Sequence, residues 1–212
     1  MFDALASVQK AMANGRRLEL IELLAQGEYA VENLARVNDM ALTTASSHLQ
    51  TLKRAGIVRT RRDGTTIYYR LAGDDVAEFY LAAKRVGLRH SPELRDSLAC
   101  YMAQVEPAGA GVPLIDEAAV DTGMTVVDVR PKAEYESGHF PGAISIPLPE
   151  LQGRHSEIPA DGTVVVYCRG EFCRLAREAA AWLCKSGFDA RAMDEGVIEW
   201  RATHDVDLSD AE

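Results

Sequence analysis

The chain has 212 residues, of which 47% are hydrophobic and 26% are charged. These proportions are ordinary for a globular protein, and the length is enough for two small domains. No apolar run approaches the roughly 18 residues that a membrane-spanning helix needs, and the first residues lack the separate basic and apolar regions of a secretory signal. The sequence therefore predicts a cytoplasmic protein without a membrane partner.

Charge is distributed unevenly along the chain. The formal net charge of −9 by itself argues against binding to nucleic acid. Residues 1–106, however, carry 14 Lys and Arg against 13 Asp and Glu, whereas residues 107–212 carry 9 against 19. Within residues 43–70, six basic residues stand against a single acid, Asp63. This short basic stretch predicts a surface that faces phosphates.

The spacing of apolar residues predicts that most of the first half of the chain is helical. Leu, Ile, Val and Met recur every three or four positions, as they do along one face of a helix. Thr43 or Thr44 is expected to cap the fourth helix, and Gly56 is expected to end it. The helices predicted from this spacing cover 2–13, 16–26, 31–37, 43–55 and 74–104, the last interrupted near 87–92.

A β-hairpin is predicted after the fourth helix. The segments 57–62 and 65–71 alternate as strands do, and Asp63-Gly64 between them is a strong two-residue turn signal. Helix, turn, helix and then a basic hairpin is the winged helix-turn-helix arrangement, whose second helix enters the major groove of DNA.

The fourth helix carries short hydrogen-bonding side chains that suit phosphates and base edges. Ala45, Leu49 and Leu52 supply its inward face. The residues predicted to contact DNA are Thr44, Ser46, Ser47, His48, Gln50, Thr51, Lys53, Arg59, Arg61 and Arg62.

Three segments of the first half resemble the ArsR/SmtB family of small repressors: RRLELIELLAQGE, TTASSHLQTLKRAGIV and RTRRDGTTIYYRL. The resemblance covers residues 2–104. It implies a homodimer formed by the first and last helices, which places two recognition helices in successive major grooves of an inverted repeat. Many metal-sensing members carry cysteines in the helix before the recognition helix, but the corresponding segment here, GEYAVENLA, has none, and His90 in the last helix has no matching Asp/His set. No metal site is therefore expected.

The segment 106–113, EPAGAGVP, separates two differently patterned regions and predicts a linker over 107–112. The expected domains are then 1–106 and 113–212. After the linker, predicted strands at 125–129 and 163–167 alternate with helices such as 174–185. The predicted fold is thus a mainly helical winged helix-turn-helix domain followed by an α/β domain with a parallel sheet.

Cys168 follows directly on the second of these strands, and the loop 169–173 leads from it into a helix. The N–H groups of such a loop, the helix N-terminus and the charges of Arg169 and Arg174 all favour an anion. They predict a lowered pKa for Cys168, which is expected to be the thiol that alkylates fastest. The same loop suits a persulfide or an oxyanion such as thiosulfate or arsenate.

This region resembles the rhodanese superfamily over residues 113–204, through VVDVRPKAEYESGHFPGAISIPL, the Cys168 loop and GVIEWRA. The resemblance implies that Cys168 accepts a sulfane sulfur, with Asp128 and Arg130 as supporting residues. The C-x5-R spacing from Cys168 to Arg174 also occurs in the phosphatase and arsenate-reductase branch of this fold. YCRGxxC loops also resemble those of known fusions between ArsR-type and rhodanese domains.

The other three cysteines have different expected roles, and no two cysteines form a zinc-binding C-x-x-C pair. Cys173 either attacks a persulfide or sulfenic acid on Cys168, leaving a bridge, or packs the start of the helix. Cys184 is expected to be buried in its helix. Cys100 is either packed in the core of the presumed dimer helix, which is favoured, or reactive.

Two functions remain open. The first is a DNA-binding repressor whose rhodanese-like domain senses reactive sulfur species or an oxidant through Cys168, with Cys173 as the resolving thiol. The second is a sulfurtransferase or arsenate-reductase-like enzyme tethered to a DNA-binding domain. Fusion to a DNA-binding domain favours the first function, because a single thiol modification per dimer is enough to switch DNA binding. The expected partners are an inverted-repeat DNA operator, a second copy of the chain, and a sulfur species, oxidant or arsenic oxyanion, with no cofactor.

Overall fold

The computed structural model describes residues 1–104 and 111–203, with side chains described as far as Trp200. The chain forms two compact units, Met1–Arg85 and Val86–Glu212. Most of the predicted linker at 107–112 lies outside the described residues, so the domain limits at 106 and 113 stay predictions. No helix in the described part of the chain is long and apolar enough to cross a membrane.

The first unit is built from helices and a small antiparallel sheet. The core lies where α2, α3 and α4 meet, and it includes the fully buried Leu20, Ile21, Leu34, Leu49 and Leu52. Burying each such side chain stabilises the folded state by about 1.5–3 kcal/mol relative to leaving it exposed. The helices are α1 (Phe2–Met12), α2 (Gly15–Leu24), α3 (Val31–Val37), α4 (Leu42–Arg54) and α5 (Asp74–His90), the last of which spans the division between the units.

The sheet of the first unit has three strands, β1 (Tyr29–Ala30), β2 (Val58–Asp63) and β3 (Thr66–Leu71), in the order β1-β3-β2. Together with α3 and α4 it confirms the predicted winged helix-turn-helix. The predicted hairpin turn is displaced by one residue. Asp63 pairs with Thr66, so the turn consists of Gly64 and Thr65, and Gly64 takes a φ of 58°, which glycine adopts without strain.

The predicted cap of α4 is wrong. The helix begins at Leu42, and the preceding Ala41 has an extended backbone and makes no side-chain capping bond. Thr43 and Thr44 instead lie in the first turn, where backbone N–H groups lack partners within the helix and water can satisfy them. The predicted end is confirmed, because Gly56 follows the helix with a φ of 77°. The predicted interruption near 87–92 is also present, and Ser91 caps α6 there.

The second unit contains α6 (Pro92–Ala103) and a five-stranded parallel sheet. Its strands follow the order β4-β8-β7-β5-β6. They are β4 (Leu114–Ile115), β5 (Thr125–Asp128), β6 (Ile144–Ser145), β7 (Thr163–Tyr167) and β8 (Asp189–Met193). The remaining helices are α7 (Lys132–Glu136), α8 (Leu151–Arg154), α9 (Leu175–Lys185) and α10 (Val197–Thr203).

Side chains of the central strand β7 alternate between two hydrophobic clusters, one on each face of the sheet. Val164 and Val166 pack with residues of α9, whereas Val165 and Tyr167 pack with residues of α7 and α10. Helices therefore cover both faces, which confirms the predicted α/β domain. Continuing the same alternation, Cys168 leaves the strand on the α9 side and belongs to the α9 cluster.

Candidate DNA-binding surface and thiol site

The polar face of α4 points outward because its opposite face is buried. Ala45, Leu49 and Leu52 are each fully buried, and this fixes the helix rotation. The predicted contact residues of α4 are accordingly exposed or half-buried, and so are the three predicted arginines of β2. The Lys53 ammonium donates to the Thr60 hydroxyl at 2.9 Å, which ties the helix to the hairpin. The structure thus brings the predicted DNA-contact residues together within one unit.

One predicted contact, Arg61, has partners that the sequence did not suggest. Its guanidinium bonds the Glu28 carboxylate at 2.7 Å and lies 4.7 Å from the centre of the Tyr68 ring. Glu28 is 33 residues away along the chain, so no local pattern links the two. Part of the positive charge of Arg61 is therefore offset in the free protein.

Arg70 is a candidate DNA contact that was not among the predicted residues. It lies directly across the hairpin from Arg59, as its partner in the β2–β3 register, and both side chains are exposed. Like charges opposite each other on a sheet destabilise it. A phosphate between the two arginines would remove that repulsion. The signal was already present in the basic stretch 43–70, in which Arg70 was counted.

The thiol site lies at the end of β7. Cys168 is 2% exposed, and its thiol donates to the Cys173 carbonyl oxygen at 3.1 Å. Both cysteines have free thiols. The loop folds back because the Cys173 N–H donates to the Gly170 carbonyl at 2.8 Å. The structure thus brings the two predicted cysteines together, with the Cys168 thiol bonded to the Cys173 backbone.

The predicted lowering of the Cys168 pKa is wrong. Burial raises the pKa of Cys168 well above its ordinary value, and the neighbouring Cys173 side chain raises it further. The pKa of Cys173 is instead lowered to about 7, first by the neighbouring Cys168 side chain, and then by the charge of Arg169 and by backbone N–H groups, against the opposing effect of burial. Two adjacent thiols share the same stabilising groups, so the pair loses one proton readily and holds the second.

The two arginines of the loop are both paired with carboxylates. Arg169 forms a two-pronged ion pair with Glu134, at 2.9 and 2.7 Å, and the Glu134 side chain is 1% exposed. Arg174 bonds Glu178 at 2.9 Å. The sequence had suggested two uncompensated positive charges, but each guanidinium is paired with a carboxylate. Arg169 still lowers the pKa of Cys173.

Arg174 also contacts α6, which lies in the same unit. Its guanidinium donates to the Gln104 side-chain oxygen at 3.2 Å and lies 5.1 Å from the centre of the Tyr101 ring. Burial raises the pKa of Tyr101, the charge of Arg174 opposes this, and the two thiols, which lie within electrostatic range, raise it further. The residue that follows Cys173 therefore connects the thiol loop to α6.

Asp128 and Arg130 form a fully buried ion pair beside the thiol loop. The guanidinium of Arg130 lies 2.6 Å from the Asp128 carboxylate and donates to the Gly138 carbonyl at 2.7 Å. Asp128 is the β5 partner of Tyr167, the residue before Cys168. The pair fixes the end of β5 against the end of β7, which is the geometry expected of supporting residues.

The segment after β8 closes over the loop. The Val197 and Ile198 N–H groups donate to the carbonyls of Cys168 and Arg169 at 3.4 and 3.3 Å. Gly196 permits this approach, because a Cβ there would lie 2.4–2.5 Å from backbone atoms of residues 168–170. In the sequence, GVIEWRA was notable only because it resembles the rhodanese family. The approach of this segment to the Cys168 loop could not be inferred from the sequence.

The remaining cysteines differ from expectation. Cys184 is exposed, although its thiol donates to the Ala190 carbonyl at 3.2 Å, so the predicted burial is wrong. The buried stripe of α9 runs through Ala179, Ala180 and Leu183, and Cys184 lies just beyond it. Cys100 is exposed on α6 in the single chain.

Each half of the chain matches a known family. Residues 14–60 match the bacterial regulatory protein, arsR family, and residues 114–203 match the rhodanese-like domain. The HTH-type transcriptional regulator Rv0324 of Mycobacterium tuberculosis is 43% identical over 201 residues, which are 95% of this chain and 88% of that protein.

Two shorter similarities concern one half each. A sulfurtransferase of Allochromatium vinosum is 36% identical over 77 residues, which are 35% of this chain and 69% of that protein. A solved structure, the homodimeric winged helix-turn-helix DNA-binding domain of Mb0332 from Mycobacterium bovis, is 51% identical, with a TM-score of 0.41. It covers 43% of this chain and 85% of that chain.

Proposed function

We propose that this chain, which belongs to the ArsR family of transcriptional regulators and also carries a rhodanese-like domain, is a repressor that senses reactive sulfur species or an oxidant through Cys168 and Cys173. The observation that carries the proposal is that two free thiols share one short loop, in which the Cys168 thiol donates to the Cys173 carbonyl at 3.1 Å. Such a pair can be converted into a covalent bridge by a single modification, which is what a sensor requires.

The chemistry needs only a sulfane donor. A thiolate of the pair attacks the outer sulfur of a hydropersulfide, R–S–SH, and the thiolate RS⁻ leaves with the electrons of the broken S–S bond. The product is a cysteine persulfide, Cys–S–SH, which the rhodanese resemblance assigns to Cys168. The second thiol, Cys173, then attacks the inner sulfur and expels HS⁻, which leaves a disulfide. The donor is the oxidant in this sequence, and the two cysteines are oxidised.

DNA binding is proposed to use a homodimer on an inverted repeat. Phe2, Leu5 and Val8 lie at helical spacing along α1, and they are 77%, 56% and 39% exposed in the single chain. An apolar stripe of this kind on a terminal helix favours burial against a second copy. Two copies of α4 would then face neighbouring major grooves.

A path from the thiols to α6 supports sensing over simple sulfur transfer. Arg174 follows Cys173 directly and holds both Gln104 and Tyr101 of α6. A Cys168–Cys173 bridge would remove the thiolate charge and contract the loop next to Arg174. The resulting shift would reach α6, which belongs to the helical region that the family resemblance assigns to the dimer.

The test is the operator affinity of wild type, Cys168→Ser and Cys173→Ser, with and without polysulfide, at one salt concentration. Polysulfide should weaken binding by wild type about 5–150-fold, the usual range of such coupling. Cys168→Ser should stay bound, and Cys173→Ser should form a persulfide but no bridge. Cys184→Ser is the matched control, because Cys184 is an exposed thiol outside the loop, and it should respond like wild type. An equal response of wild type and Cys168→Ser would refute the sensor.

The second candidate is an enzyme, a sulfurtransferase or an arsenate reductase. It is favoured by the rhodanese-like match over residues 114–203 and by the similarity to a sulfurtransferase. Steady-state turnover with thiosulfate and cyanide, and with arsenate and a thiol reductant, separates the two. Sustained turnover without any change in operator affinity would favour the enzyme.

A further inference from the structure

The two cysteines of the thiol loop differ in how easily a reagent reaches them. Cys168 is 2% exposed and is a full member of the hydrophobic cluster under α9, whereas Cys173 is half-buried at the edge of that cluster. A thiolate must reach the sulfur atom that it attacks, so the rate of sulfur transfer depends on access to the thiol. Access therefore favours Cys173 as the thiol that meets a sulfur donor.

The proton of Cys168 is held within the loop. Its thiol donates to the Cys173 carbonyl at 3.1 Å, and only the protonated form can make this bond. A hydrogen bond made by the neutral form disfavours the charged form, and burial of Cys168, which raises its pKa, acts in the same direction. Cys168 is thus kept as a thiol, and a thiol is a much weaker nucleophile than a thiolate.

Arg169 is fixed where its charge acts on Cys173. Its guanidinium bonds the Glu134 carboxylate at 2.9 and 2.7 Å, and the Glu134 side chain on α7 is 1% exposed. The pKa of Cys173 is lowered to about 7, first by the neighbouring Cys168 side chain, and then by Arg169 and by backbone N–H groups. The loop therefore offers its thiolate at the cysteine that is also the less buried of the two.

We propose that Cys173 is the first nucleophile of the thiol loop, which takes the sulfane sulfur and passes it to Cys168, with Arg169 and Glu134 as positioning residues. The inference deepens the proposed sensing function and rests on it. The rhodanese resemblance implies that Cys168 takes sulfur from the donor directly. Here Cys168 receives it from Cys173, and the persulfide still lies on Cys168 before the bridge forms.

Two transfers complete the loading of Cys168. The Cys173 thiolate attacks the outer sulfur of a hydropersulfide, R–S–SH, and RS⁻ leaves with the electrons of the broken S–S bond. Cys168 then attacks the outer sulfur of the Cys173 persulfide, RS⁻ takes up the Cys168 proton, and the Cys173 thiolate leaves. The donor is reduced to RSH, and Cys168 is oxidised to a persulfide. Because the thiolate of lower pKa is the better leaving group, the second transfer runs towards Cys168.

The first test follows where the sulfur arrives. Wild type is mixed with cysteine hydropersulfide and quenched at short times by alkylation. Trypsin cleaves after Arg169, so the two cysteines fall on separate peptides for mass spectrometry. Persulfide on Cys173 should appear before persulfide on Cys168.

The second test removes the first nucleophile. Cys173→Ser should slow the loading of Cys168 at least about tenfold, because a buried, protonated thiol must then attack the donor itself. Cys184→Ser is the matched control, since Cys184 is an exposed thiol outside the loop, and it should load Cys168 at the wild-type rate. Loading of Cys168 at the wild-type rate in Cys173→Ser would overturn the inference.

The pH profile separates a chemical role of Cys173 from a structural one. The quantity measured is the ratio of the wild-type loading rate to the Cys173→Ser rate, in which ionisation of the donor cancels. It should be constant below pH 7 and fall above it, because Cys173 is then fully ionised while Cys168 continues to ionise. A ratio that does not change with pH would show that Cys173 only shapes the loop.

The positioning residues are tested by the same loading rate and by alkylation of Cys173. Arg169→Gln should slow sulfur uptake at pH 7 at least about threefold and raise the pH midpoint of Cys173 alkylation, because it removes a cation beside the thiolate. The double variant Glu134→Gln/Arg169→Gln leaves no unpaired buried carboxylate and should act in the same direction. Arg191→Gln makes the same charge change on β8 and should alter neither quantity. Thermal unfolding establishes that each variant is folded, and an unmoved midpoint in both would refute the positioning role.

The outcomes separate the two levels of the proposal. If hydropersulfide loads Cys168 first and Cys173 is dispensable for loading, the inference fails and the sensor stands. If hydropersulfide modifies neither cysteine, the proposed function fails, and the inference fails with it.

Discussion

Arg174 stacks over the ring of Tyr101, with 5.1 Å between the guanidinium carbon and the ring centre. The first residue follows the thiol pair, and the second lies on α6. The ammonium of a lysine carries the same charge but cannot bond Glu178 and Gln104 in a planar fork while it covers an aromatic ring. The geometry of Arg174, rather than its charge, is therefore what joins the loop to α6.

Arg174→Lys should consequently separate the modification of the thiols from the change in DNA binding. We expect polysulfide to bridge Cys168 and Cys173 in this variant, while the polysulfide-dependent loss of operator affinity shrinks at least about fivefold. Arg191→Lys, at a half-buried position of β8 away from the thiol loop, is the control. Mass spectrometry and operator titration on the same samples measure both quantities. A full DNA response in Arg174→Lys would show that the signal takes another route.

The pH dependence of labelling should follow Cys173. Its pKa of about 7 means that the thiolate fraction is small below that pH and saturates above it. The iodoacetamide rate at Cys173 should therefore rise with a midpoint near 7, and Cys168 should react more slowly. Cys168→Ala removes the side chain that contributes most to the lowering, so the midpoint should move upward. Peptide mapping distinguishes Cys173 from the exposed Cys100 and Cys184, and an unmoved midpoint would contradict the role of Cys168.

Local pattern predicted most of the fold but few of the side-chain partners. Helix α3 and strand β7 have the predicted bounds, and β7 is recognisable as a short continuous apolar run, which is typical of a buried parallel strand. Strands of two residues, such as β1 and β6, are too short to show alternation and were missed. The partners of Arg61 and Arg169 lie 33 and 35 residues away, so they depend on the tertiary fold.

The thiol site shows the same division between local and tertiary effects. Its position after β7 and before α9 could be predicted, since both flanking elements are strongly patterned. Which thiol ionises could not be predicted, because it depends on the burial of Cys168 and on the Cys173 side chain beside it. The close approach of Gly196 and Glu199 to the thiol loop could not be predicted from the sequence either.

The Asp128–Arg130 pair should be important for stability. Both side chains are fully buried, and removing one partner leaves an uncompensated charge in the interior. Arg130→Met should lower the free energy of unfolding by about 3–5 kcal/mol, and adding Asp128→Asn should restore part of the loss. Denaturant titration measures both. The exposed pair of Lys132 and Glu136 provides the control, and Lys132→Met should change stability little.

The β2–β3 hairpin should bind phosphate through the opposed pair Arg59 and Arg70. Replacing an arginine that neutralises one phosphate makes the slope of log K against log salt shallower by about 0.9. We expect Arg70→Ala to weaken binding to operator and random DNA alike and to reduce this slope, since bonds to phosphate carry no base information. In the absence of DNA it should slightly stabilise the hairpin, because it relieves the repulsion between the two arginines. Lys132→Ala makes the same charge change in the other unit and should leave the slope as it is. Titrations at four salt concentrations test the assignment, and an unchanged slope for Arg70→Ala would remove Arg70 from the interface.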